Sequence, residues 1–288
     1  MHKTALRIAA PLAIGGIAIL STRQNLQNPF TPSSTALSES APEHSPNLAR
    51  WTQKWVKSET RWHYTNTHHT LIKYKHLLPS RGKILVPLCG KTVDLLYFPN
   101  QEVLGVEGVK KAITEFGAEQ SAFFPTGFDS EKDTKENANF ETYTGKTETS
   151  EISLLRGDFF SLNVPVSGVW DRASFVAIDP SNRPKYVETL KRNLNEGGTI
   201  LMSTFWRVAG TPEAVNGGPP FSVSEKNVRD LFDEKTWDIQ VIEEIDIMSD
   251  ATYKESKERW TKAGLTDFRE LVFLIKKKGG KKWWQVWK

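Results

Sequence analysis

Cysteine is almost missing: Cys89 is the only one in 288 residues. No internal disulfide can form, so nothing about the fold asks for an oxidising compartment, and a reducing location fits best. Long hydrophobic runs are missing as well. The best candidate, Ile8 to Leu20, is broken by Pro11 and Gly15-Gly16 and falls short of the roughly 20 apolar residues that a membrane-spanning helix needs. Acids are absent before Glu39 and from residue 276 to the end, a stretch that carries six lysines; Lys3, Arg7 and Arg23 open the chain. Taking these nine basic residues from the net charge of +4 leaves residues 24–275 at about −5. A mildly acidic central domain counts against a nucleic-acid groove.

Several chemical signatures are lacking too. Neither G-x-G-x-x-G nor G-x-x-x-x-G-K-[ST] occurs, which argues against a dinucleotide or a nucleoside triphosphate. There is no Ser-His-Asp set and no carboxylate pair with an evident task. His63, His68, His69 and His76 lie close together, yet their spacing does not make a metal site, and none is expected.

What is present is a packed globular domain with two appendages, since 38% hydrophobic and 25% charged residues exclude a disordered chain. Residues 1–50 have the composition of a transit peptide, a short signal or anchor, or a disordered tail. The domain spans 51–276. Residues 277–288, with Trp283, Trp284 and Trp287 among lysines, form a basic end that reads as a solvated tail or as a segment resting weakly on an anionic membrane. The location is read as cytoplasmic or mitochondrial, and a monomer is expected.

Strand and helix patterns alternate from an aromatic amphipathic segment, Trp51 to Tyr74, onward. Strands are predicted at Lys83 to Pro87, Glu102 to Val106, Ile152 to Arg156, near Val169 to Arg172, and at Thr199 to Thr204. Helices are predicted near Val93 to Phe98, from Lys110 into Phe116, and from Arg183 to Asn195. Gly197-Gly198 reads as the stop of the last of these. Ser222 and Glu225 have capping-box spacing for a helix running through Phe232. The apolar runs Ile239 to Ile247 and Leu271 to Ile275 would close the sheet, and residues 125–150 read as a long polar excursion. Such order calls for an α/β fold with a parallel sheet and right-handed crossovers.

In an open α/β sheet the ligand lies beyond the carboxyl ends of the strands. After the first strand the chain reads Pro87-Leu88-Cys89-Gly90-Lys91-Thr92-Val93-Asp94, with a glycine that lets the backbone turn tightly beside a ligand. Glu107 follows the second strand, at the position from which a carboxylate can accept from both ribose hydroxyls. Asp158 after the third strand could accept from an adenine amino group, with Phe159 as an apolar wall; the alternative is an aspartate capping a turn. Arg172 after the fourth could hold a carboxylate, or serve as a salt-bridge partner. Trp51 and Trp55 share one helical face. Together these residues describe a site for an adenosine cofactor without a phosphate loop.

The motifs Val86-Pro87-Leu88-Cys89-Gly90-Lys91, Gly105-Val106-Glu107, Gly157-Asp158-Phe159-Phe160, Trp170-Asp171-Arg172-Ala173 and Gly218-Pro219-Pro220-Phe221 resemble the thiopurine S-methyltransferase family, in order from about Trp51 to Lys276. The resemblance implies a Rossmann-like class I methyltransferase with a mostly parallel seven-stranded sheet and helices on both faces. It implies S-adenosyl-L-methionine as cofactor, with Trp55, Leu88, Glu107 and Arg172 lining its site and Trp51 and Trp55 on a helix lying over it. A small soft methyl acceptor is implied: a thiopurine or other thiol, a selenium or tellurium compound, or a halide. Arg172, Trp206, Pro219 and Phe221 are expected around that acceptor. The chain departs from the family pattern at Trp62-His63, Gly108-Val109 and Phe205-Trp206, the last beside the acceptor pocket. From the residues alone, a non-catalytic cofactor-binding module and a nicotinamide-dependent oxidoreductase are the rival classes.

Overall fold

The computed structural model describes residues 46–131 and 139–278; the expectations for the first 45 residues and for the end from 279 lie outside the described residues. The first described element, α1, Pro46–Val56, carries Trp51 and Trp55 and is followed by α2, His69–Tyr74. Then come β1 (Ile84–Val86), β2 (Glu102–Glu107), α3 (Lys110–Glu119), β3 (Phe128–Glu131), β4 (Glu141–Lys146), β5 (Glu151–Arg156) and β6 (Val166–Arg172). The second half comprises α4 (Arg183–Asn193), β7 (Leu194–Gly210), α5 (Pro212–Asn216), α6 (Glu225–Leu231), β8 (Trp237–Asp246), α7 (Lys254–Lys262) and β9 (Leu265–Lys277). No described helix is long and apolar enough to cross a membrane.

All nine strands form one sheet in the order β3-β4-β5-β2-β1-β6-β7-β9-β8. The central five are parallel, and β9 runs against β7. Strand order reverses between β1 and β6, which is where an open sheet leaves a crevice for a ligand. Burial on both faces explains the near-continuous apolar runs of the central strands. Leu71 of α2 and Ile113 and Phe116 of α3 pack one face. Tyr186, Val187 and Leu190 of α4 and Val228 of α6 pack the other.

Nine strands stand where seven were expected, because the stretch 125–150 contains the antiparallel hairpin β3–β4. Its polar composition is that of sheet-edge strands, which blunt further pairing with charge. The hairpin is held by apolar contacts: Phe124 and Phe128 lie against Phe116, and Gly145 leaves them room, since a Cβ there would come 2.6 Å from both rings. The glycine pair 197–198 is not the stop of α4. That helix ends four residues earlier, where Asn193 Nδ2 donates to the carbonyls of Thr189 and Leu162 and its Oδ1 accepts from the amide of Val164. Gly197 and Gly198 lie within β7. The capping box is also displaced by two residues: Ser224 Oγ accepts from Asn227 N, and Asn227 Oδ1 accepts from Ser224 N. Ser222 instead accepts from the amide of Arg207.

Candidate cofactor and acceptor site

A cavity of about 910 Å³ opens at the carboxyl ends of the central strands. The turn after β1 is its floor. Leu88 and Gly90 both have positive φ, +43° and +55°, and Cys89 N donates to Val106 O, which folds the turn back onto β2. A Cβ at Gly90 would sit 3.2 Å from the Trp55 ring, so the bare backbone is what lets α1 close over the turn.

Glu107 is 8% exposed and fixed by both oxygens: Oε2 accepts from Gly90 N and Oε1 from Val109 N, each at 2.8 Å. Burial raises its pKa, against the pull of these amides. Each carboxylate oxygen has a second lone pair, so a pinned Glu107 can still accept from a hydroxyl pair in the cavity. Cys89 is no nucleophile, because burial, helped by the charge of Glu107, pushes its thiol well above the ordinary range.

Asp94, the last residue of the floor, is spent on structure. Its Oδ1 accepts from His68 N and its Oδ2 from Trp170 Nε1, both at 2.8 Å, which ties the start of α2 to β6. Asp158 lines the cavity and also caps a turn, its Oδ1 accepting from Phe160 N at 3.0 Å. Phe159 is 3% exposed and packs on Tyr186 with its edge at the cavity.

Trp51 and Trp55 do project from α1 into the cavity wall, each edge-on to Trp62. Arg172, at the end of β6, donates to the carbonyl of Trp62 at 2.8 Å and lies 4.2 Å over the ring of Tyr64. Beyond it along the sheet edge, Phe205 and Arg207 of β7, Pro219 and Pro220, Arg259 and Trp260 of α7, and Phe268 of β9 complete the wall. Arg207 holds the proline loop by donating to the carbonyls of Gly217 and Pro220, and burial lowers its pKa. His63, also in the wall, is kept towards neutral by burial and by Lys91.

Two residues expected around the acceptor, Trp206 and Phe221, are not among those lining the cavity. Side chains alternate along a strand, so Phe205 and Arg207 line the cavity and Trp206, between them, does not. Phe221 covers Gly218 and donates its amide to Val176 O at 2.6 Å, outside the lining. Tyr64, Arg207, Arg259, Trp260 and Phe268 line the cavity without having been read from the sequence. Arg259 and Trp260 lie on α7, whose nine residues are too polar and too short to stand out between apolar runs.

A doubly wound sheet with a pinned acid after its second strand, no phosphate loop and a helix closing over the first turn defines an S-adenosylmethionine-dependent methyltransferase. The chain belongs to the thiopurine S-methyltransferase (TPMT) family, whose model matches residues 46–278. A thiopurine S-methyltransferase of Vibrio cholerae is 34% identical over 232 residues, covering 79% of this chain and 96% of that protein. One of Legionella pneumophila is 30% identical over 238 residues, with the same coverage. Among solved structures, the 1,6-didemethyltoxoflavin-N1-methyltransferase of Burkholderia thailandensis, with bound 1,6-didemethyltoxoflavin and S-adenosylhomocysteine, has a TM-score of 0.51. It is 15% identical, over 88% of this chain and 93% of that one. The [4+2]-cyclase SpnF has a TM-score of 0.50 at 13% identity, covering 73% of this chain and 80% of that one. At such identities the likeness is one of fold. The cofactor of the enzyme is S-adenosyl-L-methionine.

Proposed function

We propose that the enzyme methylates a small aromatic thiol that arrives as its thiolate. The observation that carries this reading is the division of the cavity along the sheet edge. The β5, β2 and β1 side presents Phe159, Glu107 and the glycine turn; the β6 and β7 side presents aromatic rings with Arg172, Arg207 and Arg259 among them. S-adenosylmethionine, when bound, supplies a methyl group on a cationic sulfur that needs no further activation.

The chain has therefore to bind, align and dry. Glu107 is held ready for the ribose hydroxyls. Tyr64, Phe205, Trp260 and Phe268 offer apolar surface to a flat acceptor, and the guanidinium groups favour its ionised form. The cavity-facing Asp94, Asp158 and Asp179 are engaged by amides, an indole or a hydroxyl, which suits an acceptor that brings no proton to remove. Orientation of two reactants can supply about 7 to 11 kcal/mol of the barrier. A cytoplasmic or mitochondrial location is in keeping with the single cysteine and the acid-free N-terminal segment.

The test is a panel of aromatic thiols, alkyl thiols, hydroselenide and halides, scored by S-adenosylhomocysteine release. Aromatic thiols are expected to turn over with the highest kcat/KM. Preference for halide would overturn the acceptor assignment, and cofactor binding without release for any acceptor would mean a non-catalytic module.

A further inference from the structure

His68 and His69 lie at the start of α2, and Glu270 lies on β9 paired with Phe205 of β7. Neighbouring Thr70 and Glu270 are 200 positions apart in sequence, so only the fold brings the carboxylate to the two imidazoles. One donor atom from each of His68, His69 and Glu270 falls within 4.8 Å of the others. His68 is 4% exposed and Glu270 is fully buried. His68 Nδ1 is buried with no hydrogen-bond partner, which is costly in a protein interior and is met by nothing in the chain itself.

We propose that His68, His69 and Glu270 bind one divalent transition-metal ion of the zinc type. Two imidazoles and one carboxylate suit zinc, cobalt or nickel, whereas magnesium and calcium take oxygen ligands. The carboxylate already has the outer partners that orient a ligand: Oε1 accepts from Ser203 Oγ at 2.5 Å and Thr70 Oγ1 at 3.2 Å, and Oε2 accepts from the Tyr253 hydroxyl. His69 Nε2 faces Oε2 at 3.5 Å, and its side chain is 35% exposed, which gives an ion a route from solvent. When the ion binds, the hydrogen on His69 Nε2 leaves to water as a proton and the nitrogen lone pair turns to the metal; nothing is oxidised or reduced. Three protein ligands leave a position for water.

The ion would fasten α2 to β9 directly, and to β7 through Ser203. Tyr64 stacks 5.9 Å from His68 and has the Arg172 guanidinium 4.2 Å over its ring, so the ion would also stiffen the wall of the cavity.

The full-length protein is titrated with ZnCl2 by calorimetry and with CoCl2 by visible absorption. One saturable equivalent is expected, with cobalt bands of a four- or five-coordinate ion. His69→Gln keeps an amide donor for Glu270 at a partly exposed position, and circular dichroism checks that it folds. It should weaken zinc binding at least about tenfold, the scale set by loss of even an outer partner of a metal ligand. His76→Gln should leave binding unchanged. Absence of a saturable site in the wild-type protein, or wild-type affinity in His69→Gln, would overturn the proposal.

Discussion

Glu107 shows how much a single side chain decides. Its two oxygens are fixed by the amides of Gly90 and Val109, so it joins the end of β2 to the turn after β1 while staying at the cavity surface. Glu107→Ala removes two charge-assisted hydrogen bonds within the protein and those expected to the ribose. At about 1.5 to 3 kcal/mol for a hydrogen bond to a charged group, cofactor affinity measured by calorimetry should fall by a factor on the order of 100. Unchanged affinity would remove Glu107 from the site.

Asp171 makes a prediction about pH. It is fully buried between Tyr186 Oη and the amide of Phe175, and burial pushes its pKa from 3.8 up to about 6 despite those donors. A proton thus binds the folded chain more tightly than the unfolded one. The stabilisation this gives is complete below pH 3.8 and is lost as pH rises through about 6. The gap corresponds to about 3 kcal/mol. Asp171→Asn keeps the shape without the titration. The unfolding free energy of the wild type minus that of the variant, from urea melts between pH 4 and 7, should therefore decline by that order. A flat difference would show that Asp171 does not titrate as described.

At the scale of elements, α1 matters because it covers the glycine turn. Trp55 is 3% exposed and packs with Val109 and Ala112 of the α3 end, with Trp62 across it. Trp55→Ala deletes a large buried ring, a change that costs about 3 to 5 kcal/mol in a packed core. Here the loss falls mainly on docking of one terminal helix. Cofactor affinity should drop by at least about tenfold, while the thermal midpoint of the central sheet moves less than a core truncation such as Trp170→Ala would move it. Equal shifts in both variants would show that α1 is part of the core and not a cover.

The elements also show where sequence pattern is informative. The central strands and α3 and α4 were legible because burial on both sheet faces leaves continuous apolar runs, and because helix spacing is regular. The β3–β4 hairpin was not, because edge strands are written in polar residues, and α7 was not, because Trp260 is its one large apolar residue. The capping box of α6 was misplaced by two residues, since Ser222 and Ser224 are equivalent until tertiary contacts assign one to Arg207 and the other to the helix.

Across the whole molecule, charge and function are separated. The lysines of the C-terminal end and the basic residues of the first segment lie at the ends of the sequence, and the segment between them is acidic overall. Three of the cations that line the cavity, Arg172, Arg207 and Arg259, come from distant parts of the chain, gathered by β6, β7 and α7.

The sequence by itself determined the α/β class, the family with its S-adenosylmethionine cofactor, and the turn and acid, Gly90 and Glu107, on one side of the cavity. These depend on short contiguous segments, each a strand followed by its own turn, whose chemistry is complete within about ten residues. Which β7 side chains line the cavity, and the meeting of His68, His69 and Glu270, were decided only by tertiary structure. Which of Phe205 and Trp206 faces the cavity is a matter of strand register, and the carboxylate beside the two histidines comes from the last strand of the sheet, which no local pattern connects to α2.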